Sequence, residues 1–311
     1  MCSQIVDAGC KEAFYLSGYE QIQNFPYYAK KVYDQKMTSS AELPDFLVIL
    51  LPGLGADKRL FEKLQGLLKH ESVVMDWIPT KGDEPLESYV QRLAQTCNSF
   101  GSRRYIICGL SFGGVIAPIL ANYLNAAGCI IISSVRTPVQ LPLSYKILFR
   151  PFYVMPSLFY ITVACIKLLL KYFLNSFLCC KWKSLAEQFL DSDSVWLFQS
   201  LRMLLTWSNN SLKTFTSYHF PILQIHGQHD RIIPISNTCP DYVISKGGHV
   251  LVDSFSQEIS ECIDSFLFRC CILEQQVSSV SKLLDSNVGF REKVSDNDID
   301  TNQSFDKIDQ K

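Results

Sequence analysis

The chain has almost no charge imbalance. Its 29 lysines and arginines face 30 aspartates and glutamates, a formal net charge of −1, so it offers no general electrostatic grip on nucleic acid. It contains no Cys-x-x-Cys pair and no Cys/His spacing of a zinc site, although it holds 12 cysteines, and no metal or organic cofactor is expected. Cys108 and Cys129 fall inside apolar runs, where a free thiol behaves as a small hydrophobe. Residues Met1 to Asp7 lack the basic stretch and apolar core of a secretory signal, so a reducing, cytoplasmic setting is expected. Histidine is scarce, limited to His70, His219, His226, His229 and His249, which leaves few candidates for a general base. Acidic residues are missing altogether from Val135 to Lys183.

What is present is apolar. With 48% hydrophobic and 19% charged residues over 311 positions, the composition is that of a globular chain of one large domain or two small ones. Phe46 to Leu51 is a continuous apolar run of strand length, ended by Pro52-Gly53-Leu54-Gly55. Runs of this kind suit a parallel sheet covered on both faces. Arg59 to Leu68 has helical spacing, Val73 to Pro79 reads as a strand, and Leu86 to Cys97 reads as a helix with Pro85 near its first turn. Tyr105 to Cys108 and Cys129 to Ser134 are buried strands on either side of an apolar helix, Val115 to Leu124. After a long interruption, Ile222 to Gly227 and Tyr242 to Ser245 restart the sheet, and Leu251 to Arg269 closes it as a helix. Alternation of this kind predicts a doubly wound, mostly parallel α/β sheet.

Ser111 lies at one of these strand-to-helix turns, within Gly109-Leu110-Ser111-Phe112-Gly113. A serine held in so tight an elbow needs neighbours without Cβ atoms two positions away on each side, and Gly109 and Gly113 supply them. The hydroxyl is then exposed, and the next backbone N–H, on Phe112, sits at a helix N-terminus where it can donate to an oxyanion.

A serine hydroxyl needs a base, and the base needs an orienting carboxylate. His249, in the glycine-rich loop Ser245 to His249, follows the last strand and shares the carboxyl-end rim of the sheet with Ser111. His226 ends a buried strand and is expected to be a packed structural residue; His70, between Lys69 and Glu71, is expected to be solvated. Asp230, in the loop after Ile222 to Gly227, is the candidate acid, with Asp241 and Asp253 as fallbacks. The second oxyanion donor is expected from the loop after the first strand, at the Leu54 N–H, where Gly53 allows close approach.

Taken together, Leu51-Pro52-Gly53-Leu54-Gly55-Ala56-Asp57, Gly109 to Gly114, Ile225 to Asp230 and Gly247-Gly248-His249 resemble an α/β-hydrolase of the serine esterase and lipase type. The resemblance covers residues 46–134 and 216–269 and implies a nucleophile at Ser111, an acid at Asp230 and a base at His249. It departs from the commonest pattern in having Pro52-Gly53 where His-Gly is usual, and in having no obvious pair of strands before Phe46. Ser111 excludes the members that use an aspartate nucleophile. The expected activity is cleavage of a carboxylic ester with an acyl or hydrophobic group. A thioesterase or acyltransferase, a membrane-surface lipase or lysophospholipase, and a non-catalytic ligand-binding protein on the same scaffold are the rival readings.

Residues 135–215 interrupt the sheet and are expected to form a helical cap. Within it Phe152 to Ile166 carries no charge, but at 15 residues, with Pro156 among them, it is short of the ~20 a membrane span needs. Lys167, Lys171 and Asn175 make a narrow polar stripe beyond it. Three readings are open: a cap packed on the core with its lysines solvated, peripheral contact with an anionic membrane and, least favoured, a true span. Residues 1–45 form an aromatic-rich extension and residues 270–311 a polar tail, expected to be disordered. In that tail Asp296-x-Asp298-x-Asp300 starts like a calcium loop but fails at Thr301 and Lys307.

Overall fold

The computed structural model describes residues 45–101, 103–173, 180–207 and 218–272. The chain divides into two compact units, 1–267 and 268–311; the second is described only over 268–272, which are helical. The aromatic extension up to residue 44, Asn175, Cys179 and the aspartate-rich tail lie outside the described residues.

Six strands form one sheet: β1 (Phe46–Leu51), β2 (Ser72–Val74), β3 (Arg104–Leu110), β4 (Gly128–Ile132), β5 (Ile222–Gly227) and β6 (Tyr242–Ile244). Their order is β2-β1-β3-β4-β5-β6, and every pairing is parallel. All six residues of β1 are buried, which is the reason its sequence shows no polar alternation. Leu47, Ile49 and Leu51 face a core shared with α2 (Leu86–Thr96) and α3 (Phe112–Tyr123), the helices after a one-turn α1 (Glu62–Gln65). The register of β1 against β3 pairs Leu51 with Gly109, so the two loops leaving these strands meet at the same rim.

Three sequence expectations are corrected. The strand expected over Val73 to Pro79 stops at Val74, the outer edge of the sheet. Met75 still donates to the Leu50 carbonyl (2.9 Å), but Trp77 then leaves to stack within 5.2 Å of Trp196 and 5.7 Å of Phe112. The helix expected over Arg59 to Leu68 is a 3-10 turn, Lys58–Phe61, followed by α1. The closing helix is broken: α8 (Leu251–Ser254) ends where Phe255 leaves helical backbone (φ −127°, ψ 30°), and a new helix starts at 256.

Between β4 and β5 the described chain is helical and contains no strand: α4 (Leu143–Val154), α5 (Pro156–Phe173), α6 (Cys180–Asp191) and α7 (Ser194–Thr206). Asp193 caps α7 by accepting from the Val195 and Trp196 N–H groups. Trp196 then packs on Trp77, Tyr89 and Phe112, with ring centroids 5.2 to 5.9 Å apart, which fastens the inserted helices to the core beside Ser111. Lys167, solvated in the packed-cap reading, is instead bound to the protein. Its ammonium donates to the Leu190 and Ser192 carbonyls at the end of α6, where it satisfies groups the helix leaves open.

Seven described cysteines stand outside any disulfide. Cys239 is disulfide-bonded, so cysteine usage does not by itself assign a redox compartment.

Candidate active site

Ser111 stands between β3 and α3 with φ 53° and ψ −116°, a strained backbone for a residue with a side chain. The surrounding glycines make that conformation possible. A Cβ on Gly109 would lie 2.1 Å from the Gly113 carbonyl oxygen, and one on Gly113 would lie 2.2 Å from that of Leu51. The turn is held from behind as well. Ser111 donates its N–H to Ile132 (2.9 Å), and the Ser134 hydroxyl donates to the Ser111 carbonyl (2.5 Å).

His249 and Asp230 reach this serine from two other loops. The Ser111 Oγ and His249 Nε2 are 2.8 Å apart, and His249 Nδ1 is 2.8 Å from Asp230 Oδ2. With neutral imidazole, Nδ1–H donates to the carboxylate and Nε2 accepts from the serine. The Asp230 side chain is fully buried, and its other oxygen accepts from the Ile232 and Ile233 N–H groups (2.8 and 2.9 Å). The loops carrying acid and base are tied together by His229 N–H donating to the Gly247 carbonyl (2.8 Å). A Cβ on Gly227 would meet the Gly248 oxygen at 2.4 Å, so this joint also depends on a glycine.

The fallback carboxylates are engaged elsewhere. Asp241 accepts from the Gln224 N–H (2.7 Å) and pairs with Arg136; Asp253 pairs with Lys63 (2.6 Å). His70 is half-buried with its ring edge-on to Phe46 at 6.2 Å, contrary to the solvated position expected. His70 lies just before β2, where its ring meets the first residue of β1, a contact its charged neighbours in sequence do not reveal.

Leu54 and Phe112 both line a cavity of about 370 Å³ that opens onto Ser111 and His249. Phe112 is the first residue of α3, so its N–H has no intrahelical acceptor. The Leu54 N–H makes no hydrogen bond among the described residues. Gly53 lies against the serine, its Cβ position 3.5 Å from the Ser111 Cβ. The remaining walls are largely apolar: Leu141, Tyr145, Leu185, Phe189, Leu204 and Ile233 contribute, several of them from α4, α6 and α7. Sequence reading missed these residues because Tyr145, Leu185, Phe189 and Leu204 lie on inserted helices, and Leu141 and Ile233 in connecting segments, with nothing in the sequence to mark the side facing the cavity. Ser134 was also missed; a serine ending the buried β4 run is the one signal that could have found it. Among the described residues, no group of three His, Cys, Asp or Glu is placed to hold a metal.

His226 is fully buried, as expected of a structural residue, and its Nε2 lies 2.8 Å from the Ile233 carbonyl and 3.4 Å from Asp230 Oδ2. It therefore backs the loop that presents the acid. Burial holds its pKa below the ordinary imidazole value. The unfolded chain binds a proton below about pH 6.5 that the folded chain resists. The stability His226 contributes is therefore complete above that pH and is lost as pH falls through it, by at most about 1.4 kcal/mol per pH unit for one proton. Thermal unfolding followed from neutral to mildly acidic pH should show this slope, reduced in His226→Gln.

A sequence profile of the alpha/beta hydrolase family matches residues 48–261. Solved structures similar to this chain include a thermophilic esterase from Thermogutta terrifontis (18% identity, 73% of this chain and 91% of that one, TM-score 0.56). An esterase from Exiguobacterium antarcticum is also similar (16%, 73% and 93%, 0.54), as is the enol-lactonase from Burkholderia xenovorans LB400 (14%, 74% and 93%, 0.52). At these identities the likeness is one of fold. A search of curated proteins finds no match. From the sheet order, the strained turn at Ser111 and a profile match running from β1 to the C-terminal helix, the chain belongs to the alpha/beta hydrolase family.

Proposed function

We propose that this hydrolase is a serine esterase that cleaves carboxylic esters with an apolar acyl group through an acyl-enzyme on Ser111. The observation that carries this reading is the continuous chain of two 2.8 Å contacts from Asp230 through His249 to Ser111, opening into an apolar cavity. In the first step His249 Nε2 takes the Ser111 proton as Oγ bonds to the ester carbonyl carbon. The oxyanion that forms accepts from the Leu54 and Phe112 N–H groups. The tetrahedral adduct collapses, the C–O bond to the alcohol breaks, and His249 gives its proton to the leaving oxygen. Water then attacks the acyl group with the same histidine as base, and Ser111 is released with the carboxylic acid. Asp230 keeps its charge throughout and stabilises the imidazolium.

The cavity favours an acyl chain over a charged group because its walls offer hydrocarbon and almost no hydrogen-bonding partners. Thioester cleavage and acyl transfer would use the same groups and differ in leaving group or acceptor. A fluorophosphonate probe tests the reading directly. Labelling is expected in the wild-type protein and absent in Ser111→Ala and His249→Ala. A folded wild-type protein that stays unlabelled, alone and with lipid vesicles, overturns it in favour of a binding protein on a hydrolase scaffold.

A further inference from the structure

The exposed face of α4 and α5 has no part in this chemistry. On α5, Leu158, Ile161, Cys165, Leu168, Leu169 and Tyr172 are exposed, and their spacing of three and four residues lays them along one side of the helix. The other side is apolar as well: Phe159 and Val163 are buried against Leu197, Phe198 and Leu201. A helix apolar all round suits a protein core or lipid, and here the described residues pack against one side only. On α4, Leu143, Ile147, Leu148 and Val154 are between 61% and 70% exposed, far more contiguous apolar side chain than a surface helix ordinarily shows.

The charges carried by these two helices have one sign. Lys146, Arg150 and Lys171 are exposed, they form no ion pair among the described residues, and the sequence has no acidic residue between Glu87 and Glu187. We propose that α4 and α5 dock this protein on the anionic surface of a lipid bilayer, with their apolar side chains in the boundary layer and the basic ends at the headgroups. A second copy of the chain fits the same face poorly, because a two-fold contact would press these basic residues against each other. No single described helix is long and apolar enough to cross a membrane, and α4 and α5 meet at a bend of 107°, which suits a pair lying on the surface. Tyr145 of α4 also lines the cavity beside Ser111, so docking would bring that wall of the cavity to the bilayer.

The test is co-sedimentation of the full chain with phosphatidylcholine vesicles, with and without phosphatidylserine. Sedimentation velocity without lipid reports self-association. Strong partitioning onto the phosphatidylserine vesicles is expected. K146Q/R150Q/K171Q should weaken it about fivefold per basic residue, about a hundredfold in all. I161D/L168D should abolish it at an unchanged far-UV circular dichroism spectrum and thermal midpoint; if that variant does not fold, the basic-to-glutamine variant carries the test. Ser111→Ala should bind as wild type, so failure of docking and failure of the esterase reading are separable. A folded monomer that ignores both vesicles overturns the proposal, as does binding insensitive to both variants. A dimer dissociated by I161D/L168D also overturns it and assigns the face to a second copy.

Discussion

Ser111→Ala and His249→Ala are each expected to lower kcat for a p-nitrophenyl ester by a factor of about 10⁶, and the double variant to lose no more than either alone. The expectation follows from how the groups act together. His249 Nε2 is 2.8 Å from the serine oxygen, and removing either end leaves the other with no reaction to assist. Asp230→Asn should cost less, about 10⁴ in kcat. Asparagine fills the buried site, but its amide can present a donor where His249 needs an acceptor, which favours the tautomer that can no longer take the serine proton. The two N–H groups from Ile232 and Ile233 already donate to Oδ1, so an asparagine there will seat its carbonyl oxygen on them and turn its NH₂ toward the histidine. KM should change little in all three, since none of the groups builds the apolar cavity walls. Steady-state kinetics with unchanged thermal midpoints would check this. Turnover in Ser111→Ala within a hundredfold of wild type would sink the esterase reading, as would additive losses in the double variant.

Gly113→Ala is expected to prevent folding, with a loss beyond about 4 kcal/mol. The new Cβ would lie 2.2 Å from the Leu51 oxygen and 2.5 Å from that of Pro52. These are backbone atoms, one in the buried strand β1 and the other in the loop next to Leu54, so no side-chain rotation relieves the clash. Moving α3 away would separate the Ser111 turn from the Gly53-Leu54 loop and open the core around Phe112 and Val115. Gly248→Ala is the control. It sits beside His249, but nothing lies within 4 Å of its Cβ position, so the variant should keep the wild-type midpoint within about 0.5 kcal/mol. Denaturant unfolding of the two variants against wild type checks the pair. A Gly113→Ala protein of wild-type stability would show that the turn is not packed as described.

Much of the site was legible because its residues sit where strands end. The apolar runs at Phe46–Leu51, Tyr105–Cys108 and Cys129–Ile132 are near-continuous for a simple reason. A parallel sheet is buried on both faces, so each strand announces itself and, with it, the loop that follows. Ser111, Asp230 and His249 were readable from that placement, and the same reasoning pointed to Leu54 and Phe112. The edges were less legible. β2 is three residues long because an edge strand pairs on one side only, and the apolar residues after it serve the aromatic cluster around Trp196 instead.

The sequence by itself determined the α/β alternation, the strained serine turn and the identity of the residues that meet there. Each of those depends on local chemistry: strand-length apolar runs, glycines that admit close backbone approach, and a scarcity of histidines. Tertiary structure alone decided which sides of the inserted helices face the cavity, which carboxylates are already engaged, and which apolar face the described residues leave uncovered. Those outcomes depend on what packs against a side chain. Leu197 and Leu168 are the same residue on neighbouring helices, yet one is 2% exposed and the other 70%. Hydrophobicity drives both toward burial, but only the packed chain supplies a partner to one and leaves the other facing out.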